Sequence, residues 1–155
     1  MESIIVTNCH RSYALNEAFV RKLAAAVVTL IKKKKRADLE IVFLDDRSIR
    51  GLNRRYKGED APTDVLSFRI DRKEFGKARF LGEIFISLDT ARRNAKVFGA
   101  AFEDETVLYV IHGILHLFGY DDKTPGQRAR MSKKQDRILG LLCSQETLSK
   151  VLTRR

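Results

Sequence analysis

Asp64-Val65-Leu66-Ser67-Phe68 and Phe80-Leu81-Gly82-Glu83-Ile84-Phe85-Ile86-Ser87 decide the fold class of this chain. Both runs are rich in β-branched and aromatic residues, the signature of strands. The charged segment Asp71 to Arg79 separates them, and the connection is tight enough for an antiparallel pair. Around this pair, strands and helices alternate without the even spacing of a parallel α/β sheet. The pattern predicts an α+β domain over residues 1–155, with a four- or five-stranded mixed sheet and helices mainly on one side.

Upstream, Asp38 to Leu44 is the clearest strand. Asp45-Asp46 then opens a helix through about Tyr56, with Ile49, Leu52 and Asn53 on one side and Arg47, Arg50, Arg54 and Arg55 on the other. Lys57 to Pro62 reads as a polar loop. Earlier still, Ser3 to Thr7 is a first strand, and Asn8 to Arg11 a loop in which His10 reads as a surface histidine. Asn16 N-caps a helix to Ile31. The five charges Lys32 to Arg36 at its end suit the helix dipole as well as they suit RNA. Downstream, Asp89 to Phe98 is a helix closed by Gly99. A helix beginning at Glu103 or Asp104 stops near Gly119, and Thr124-Pro125 starts the last one, to about Leu142.

Thirty basic residues against twenty acidic ones give a net charge of +10, which favours polyanions, nucleic acid ahead of an acidic membrane surface. Eight lysines or arginines against two acids fall between Thr124 and Arg155, a surface suited to RNA phosphates. No apolar run approaches the roughly 20 residues a membrane span needs. Met1-Glu2-Ser3 lacks a basic signal-peptide start, so the expected location is cytoplasmic. Cys9 and Cys143 read as reduced thiols, too few for a cysteine zinc site.

Within the helix that ends near Gly119, His112 and His116 stand four apart and share a face. The preceding run, Glu105 to Ile111, is nearly all apolar, so the helix is buried and its imidazoles need partners. Gly119 lets the chain turn back, and Asp122 can add a carboxylate oxygen to the two nitrogens. Three protein ligands with an open fourth position suit a catalytic zinc. Two core histidines bonded to carbonyls or carboxylates are the bland alternative. The spacing is also close to that of zinc peptidases, but their general-base glutamate follows the first histidine, and here that residue is Gly113.

The run His112 to Asp121 matches the pattern His-Gly-x-Leu-His-Leu-x-Gly-Tyr-Asp throughout. Leu52-Asn53-Arg54-Arg55-Tyr56-Lys57, Pro62-Thr63-Asp64-Val65-Leu66-Ser67-Phe68 and Leu81-Gly82-Glu83-Ile84 supply further blocks in the same order. Together they resemble the YbeY family of zinc-dependent endoribonucleases. The resemblance implies an α+β fold, one zinc ion, and single-strand-specific cleavage of RNA. It also implies late 3′-end maturation of 16S ribosomal RNA and ribosome quality control, with ribosomal RNA and the small ribosomal subunit as partners. On this reading His112, His116 and Asp122 hold the zinc, and His112 and Lys57 are the catalytic residues. Arg54 or Arg55 are possible helpers, Thr63 and Ser67 line the cleft, and Glu83 and Asp89 are possible proton acceptors.

Two positions depart from the family pattern. Its third zinc histidine falls at Asp122, which brings a negative charge to the metal and makes a bound water less acidic. Asp121 is the rival ligand there. The residue after the tyrosine is usually an arginine, and here it is Lys57, which keeps the charge but loses the bidentate fork. Two other classes stay open: an RNA-binding module with a structural zinc, and another metallohydrolase.

Overall fold

The computed structural model describes residues 3–31, 36–74, 77–142 and 144–153. The first half runs β1 (Ser3–Asn8), β2 (Ala14–Leu15), α1 (Glu17–Ile31), β3 (Arg36–Leu44), α2 (Asp46–Lys57), β4 (Val65–Glu74) and β5 (Lys77–Ser87). It continues with α3 (Leu88–Phe98), α4 (Phe102–Leu117), α5 (Pro125–Leu142), α6 (Gln145–Leu148) and β6 (Leu152–Thr153). A four-stranded mixed sheet has the order β1-β3-β5-β4, in which the first three strands are parallel and β4 is antiparallel to β5. The α+β class and the antiparallel pair are as the sequence indicates.

Residues two apart on a strand share a face. On the inner face Val6, Leu39, Ile41, Phe43, Ile84 and Ile86 are buried against α1 and α4, which bring Val20, Val27, Val110 and Ile114 to the same core. Most of the helical mass therefore lies on this side. On the outer face α2 packs over β4 and β5, where Ile49 and Leu66 are buried and Tyr56 lies against Phe68 with ring centroids 5.2 Å apart, while Ile5 and Ile70 remain exposed.

Helix ends follow their local chemistry. Asn16 caps α1 through Phe19 N–H (3.0 Å), and Ser87 caps α3 through Thr90 N–H (3.1 Å). Thr124 and Gln127 form a reciprocal capping box at the start of α5, at 3.1 and 3.2 Å. Gly99 ends α3 in the left-handed region.

The structure corrects several expectations. The charged stretch after Ile70 is strand, because β4 runs to Glu74 and β5 starts at Lys77, with Asp71 opposite Phe80 and Glu74 opposite Lys77. Ladder bonds are made by the backbone, so a register set by the apolar pairs carries on through polar residues. Lys57 is the last residue of α2, and Gly58 caps that helix. His10 is not a surface residue: it is 7% exposed. Its Nδ1 accepts the N–H groups of Ser12 (3.1 Å) and Tyr13 (3.3 Å), so Nε2–H donates to Asp89 (2.9 Å). Burial follows because the ring closes the loop after β1 onto α3. Cys9 is an exposed free thiol. Lys32 to Lys35 and Cys143 lie outside the described residues. None of the described helices is long and apolar enough to cross a membrane.

Candidate metal centre

Helix α4 is apolar on nearly every side, and Val107, Val110, Ile111, Ile114 and Leu115 are fully buried. It lies unusually close to the sheet. A Cβ on Gly113 would come 2.6 Å from Ile84 Cγ2 and 3.2 Å from Val65 Cγ1, and one on Gly82 would meet the Leu117 side chain. β4 holds the C-terminal half of α4, because Ser67 Oγ donates to the Gly113 carbonyl (3.2 Å) and Arg69 Nη1 to the Leu117 carbonyl (3.0 Å). The helix then ends, and Gly119 at φ 95° turns the chain. Gly119 N–H and Tyr120 N–H return to the carbonyls of His116 and Leu115, each at 3.1 Å, which brings residues 120–122 back beside the histidines.

His112 Nε2 and His116 Nε2 lie 2.9 Å apart, and Asp122 Oδ2 is 3.6 and 3.5 Å from them. On the far side of its ring, His112 Nδ1 faces Gln135 Oε1 at 2.8 Å. The His116 pKa is lowered, first by burial and then by neighbouring His112, against the pull of Asp122, Asp121 and a backbone hydrogen bond with Tyr120. With His112 Nδ1 donating outward to Gln135, the His112 Nε2 lone pair, His116 Nε2 and a carboxylate oxygen converge on one point. Repulsion within such a donor set is relieved by a proton or a cation between its members. The edges of the set also suit a cation, since tetrahedral ligands at zinc distances stand roughly 3.3 Å apart. The group His112, His116 and Asp122 could hold a metal ion.

The centre forms the floor of a cleft of about 550 Å³. Lys57, Thr63, Ser67 and Arg69 line its walls, with Lys123 at the turn. Lys57 is placed by the end of α2, where the buried Asn53 amide donates to the Ala61 carbonyl (2.9 Å) and ties down the loop after the helix. Asp121 reaches the cleft, but its Oδ1 accepts Asp122 N–H (2.9 Å) and its Oδ2 lies 3.8 Å from Lys123 Nζ, outside the ligand group.

Other expected residues are elsewhere. Arg54 and Arg55 do not line the cleft, and the Arg55 guanidinium lies over the Tyr56 ring at 5.5 Å. Glu83 faces the outer side of the sheet, across from Glu40 and Phe68. Asp89 is engaged by His10 and by Asp46 N–H (2.9 Å). Sequence reading did not single out Arg69 or Gln135. Arg69 had a signal, because Val65, Ser67 and Arg69 alternate on one face of β4. Gln135 had none, because only the docking of α5 brings it to His112.

A family profile described as Endoribonuclease YbeY matches residues 6–142. The chain belongs to this family. Among YbeY-family relatives, a protein of Pelotomaculum thermopropionicum named Endoribonuclease YbeY is 37% identical over 146 residues, covering 90% of this chain and 96% of the relative. One of the same name from Chloroherpeton thalassium is 37% identical over 140 residues, with 90% and 95% covered. The solution structure of TM1509 from Thermotoga maritima superposes with a TM-score of 0.58 at 25% identity, covering 89% of this chain and 90% of that one. In this YbeY-family cleft, three donor atoms leave room for a further ligand, the arrangement of open rather than closed metal sites.

Proposed function

We propose that this chain is a metal-dependent endoribonuclease. Its substrate is single-stranded RNA at the 3′ end of 16S ribosomal RNA, cleaved during late maturation and quality control of the small ribosomal subunit in the cytoplasm. The convergence of His112 Nε2, His116 Nε2 and Asp122 Oδ2 at the floor of a cleft walled by Lys57 and Arg69 carries this reading. The endoribonuclease names of the relatives and the net charge of +10 support it.

One zinc ion held by these three atoms would supply a Lewis acid and an acidified water beside the scissile phosphate. The chain's own residues do the rest. Lys57 lines the same cleft, and its ammonium offsets the negative charge that builds on the phosphoryl oxygens. As a point charge it neutralises without fixing the phosphate's rotation, a task for which an arginine fork is better suited. Burial favours the neutral state of His116, the state in which an imidazole has a nitrogen lone pair to give a metal. Asp122 keeps the ligand set at one negative charge. The Ser67 hydroxyl proton is committed to the Gly113 carbonyl (3.2 Å), so Ser67 shapes the wall.

The general base that zinc peptidases carry after their first histidine has no counterpart at Gly113. The position after His112 faces Ile84 and Val65, with no space for a side chain. The test combines metal analysis with cleavage of single-stranded and duplex RNA by the wild type, His112→Ala and Asp122→Ala. The wild type should hold one metal per chain and cut the single strand, and both variants should lose metal and activity. Equal cleavage by all three proteins would sink the reading.

A further inference from the structure

Helix α5 holds two of the three ligand positions. On one face, seven residues apart, Arg128 Nη1 donates to the Asp122 carbonyl (3.2 Å) and Gln135 Oε1 lies 2.8 Å from His112 Nδ1. An amide oxygen only accepts, so the nitrogen facing it carries the proton and Nε2 keeps its lone pair. With the amide reversed, its NH₂ would donate to Nδ1 and force the proton onto Nε2, the atom 2.9 Å from His116 Nε2. The first arrangement leaves His112 ready to bind a cation, whereas the second blocks it.

We propose that Gln135 is a positioning residue: its neutral amide oxygen holds His112 in the Nδ1–H tautomer, aims Nε2 at the metal position, and leaves Asp122 as the only anionic ligand. The proposal rests on the metal-centre reading above. A carboxylate behind His112 would make the ring more basic and add a second negative charge to the site. A neutral acceptor fixes the ring without that charge. Asp122 already supplies one, so the pairing of an aspartate ligand with an amide support keeps a bound divalent ion net positive beside a phosphate.

The test follows the His112 ring by long-range ¹⁵N–¹H NMR in chelator-treated protein, together with zinc(II) titration, in wild type, Gln135→Met and Gln135→Glu. Gln135 is half-buried and methionine has its length and helix propensity, and Gln135→Ala carries the same prediction should methionine disturb the packing. The wild type should show the Nδ1–H tautomer. Gln135→Met should shift toward Nε2–H and bind zinc about 10- to 100-fold more weakly, the usual loss for an outer-shell partner. Gln135→Glu should restore the Nδ1–H tautomer and bind zinc at least as tightly as wild type. Unchanged tautomer and unchanged zinc affinity in Gln135→Met would overturn the proposal. A wild type that takes up no zinc would overturn the metal reading. The tautomer then still decides the placement: a switch in Gln135→Met supports it and no switch overturns it.

Discussion

Replacing Gly113 by alanine tests the close approach that sets the whole centre. The new Cβ would lie 2.6 Å from Ile84 Cγ2, where ordinary contact begins at 3.4 Å. Ile84 is fully buried in the central part of the sheet, so helix or strand must give by about 1 Å, an overpacking that costs about 1–3 kcal/mol. Movement also strains the Ser67–Gly113 hydrogen bond, worth about 1 kcal/mol. Against this, alanine in place of glycine inside a helix gains about 1 kcal/mol. The net expectation is a loss of about 1–2 kcal/mol, read as a lower urea midpoint for chelator-treated protein with unchanged slope. Ile84→Ala removes the clashing branch, so the pair should couple by at least about 0.5 kcal/mol in a double-mutant cycle. Because His112 is the preceding residue, Gly113→Ala should also weaken zinc binding. A variant more stable than wild type by about 1 kcal/mol would show propensity acting alone and would refute the close approach.

Three further outcomes are expected. Burial pushes the Asp46 carboxyl up, but hydrogen bonds from Arg93, Ser87 and Thr90 outweigh it and hold the group below its usual 3.8. The folded state then takes up this proton less readily than the unfolded one, so its stabilisation is complete above 3.8 and is lost as pH falls through the depressed value. Asp46→Asn should flatten that acid loss and lower stability near neutrality by about 1.5–3 kcal/mol, measured by urea unfolding across pH; an unchanged acid limb would count against it. Lys57→Ala should slow RNA cleavage by about 10²–10³ and reduce the salt slope of RNA binding by about 1, with Lys57→Arg recovering most of the rate. Identical rates for Lys57→Ala and wild type would remove Lys57 from the site. Thr124→Ala should cost about 1 kcal/mol through loss of the α5 cap, and no change in the urea midpoint would contradict the capping box.

What could be read from the sequence was what is local. His112 and His116 share a face by helical period, and Gly119 marks where the chain returns, so the three residues His112, His116 and Asp122 lie within eleven residues of one another. Gly113 could be read as a missing base, but its reason, contact with Ile84 and Val65, depends on how α4 docks. The two apolar runs around β4 and β5 gave their pairing, yet the ladder beyond them had no apolar pattern to follow and read as a loop. His10 misled because burial of a loop residue depends on distant partners, here Asp89, 79 residues away. Gln135 is 23 residues from His112 and on another helix, so no spacing rule reaches it.

The aspartate at position 122 is intelligible in the same terms. Its side chain is shorter than a histidine's, so the backbone must carry the carboxylate closer to the two imidazoles. Gly119 at φ 95° reverses the chain, and the Asp121 carboxylate takes Asp122 N–H at 2.9 Å, tightening the turn that follows. Arg128 then grips the Asp122 carbonyl from α5 at 3.2 Å. The result is Oδ2 within 3.6 Å of both nitrogens, although the side chain is still 43% exposed. Reach is thus supplied by the turn and by α5, and the residue type contributes the charge. On the function proposed above, that charge would draw a cation into the cleft, and Lys57 and Arg69, which line the same cleft, would supply positive charge for the phosphates of a polyanion.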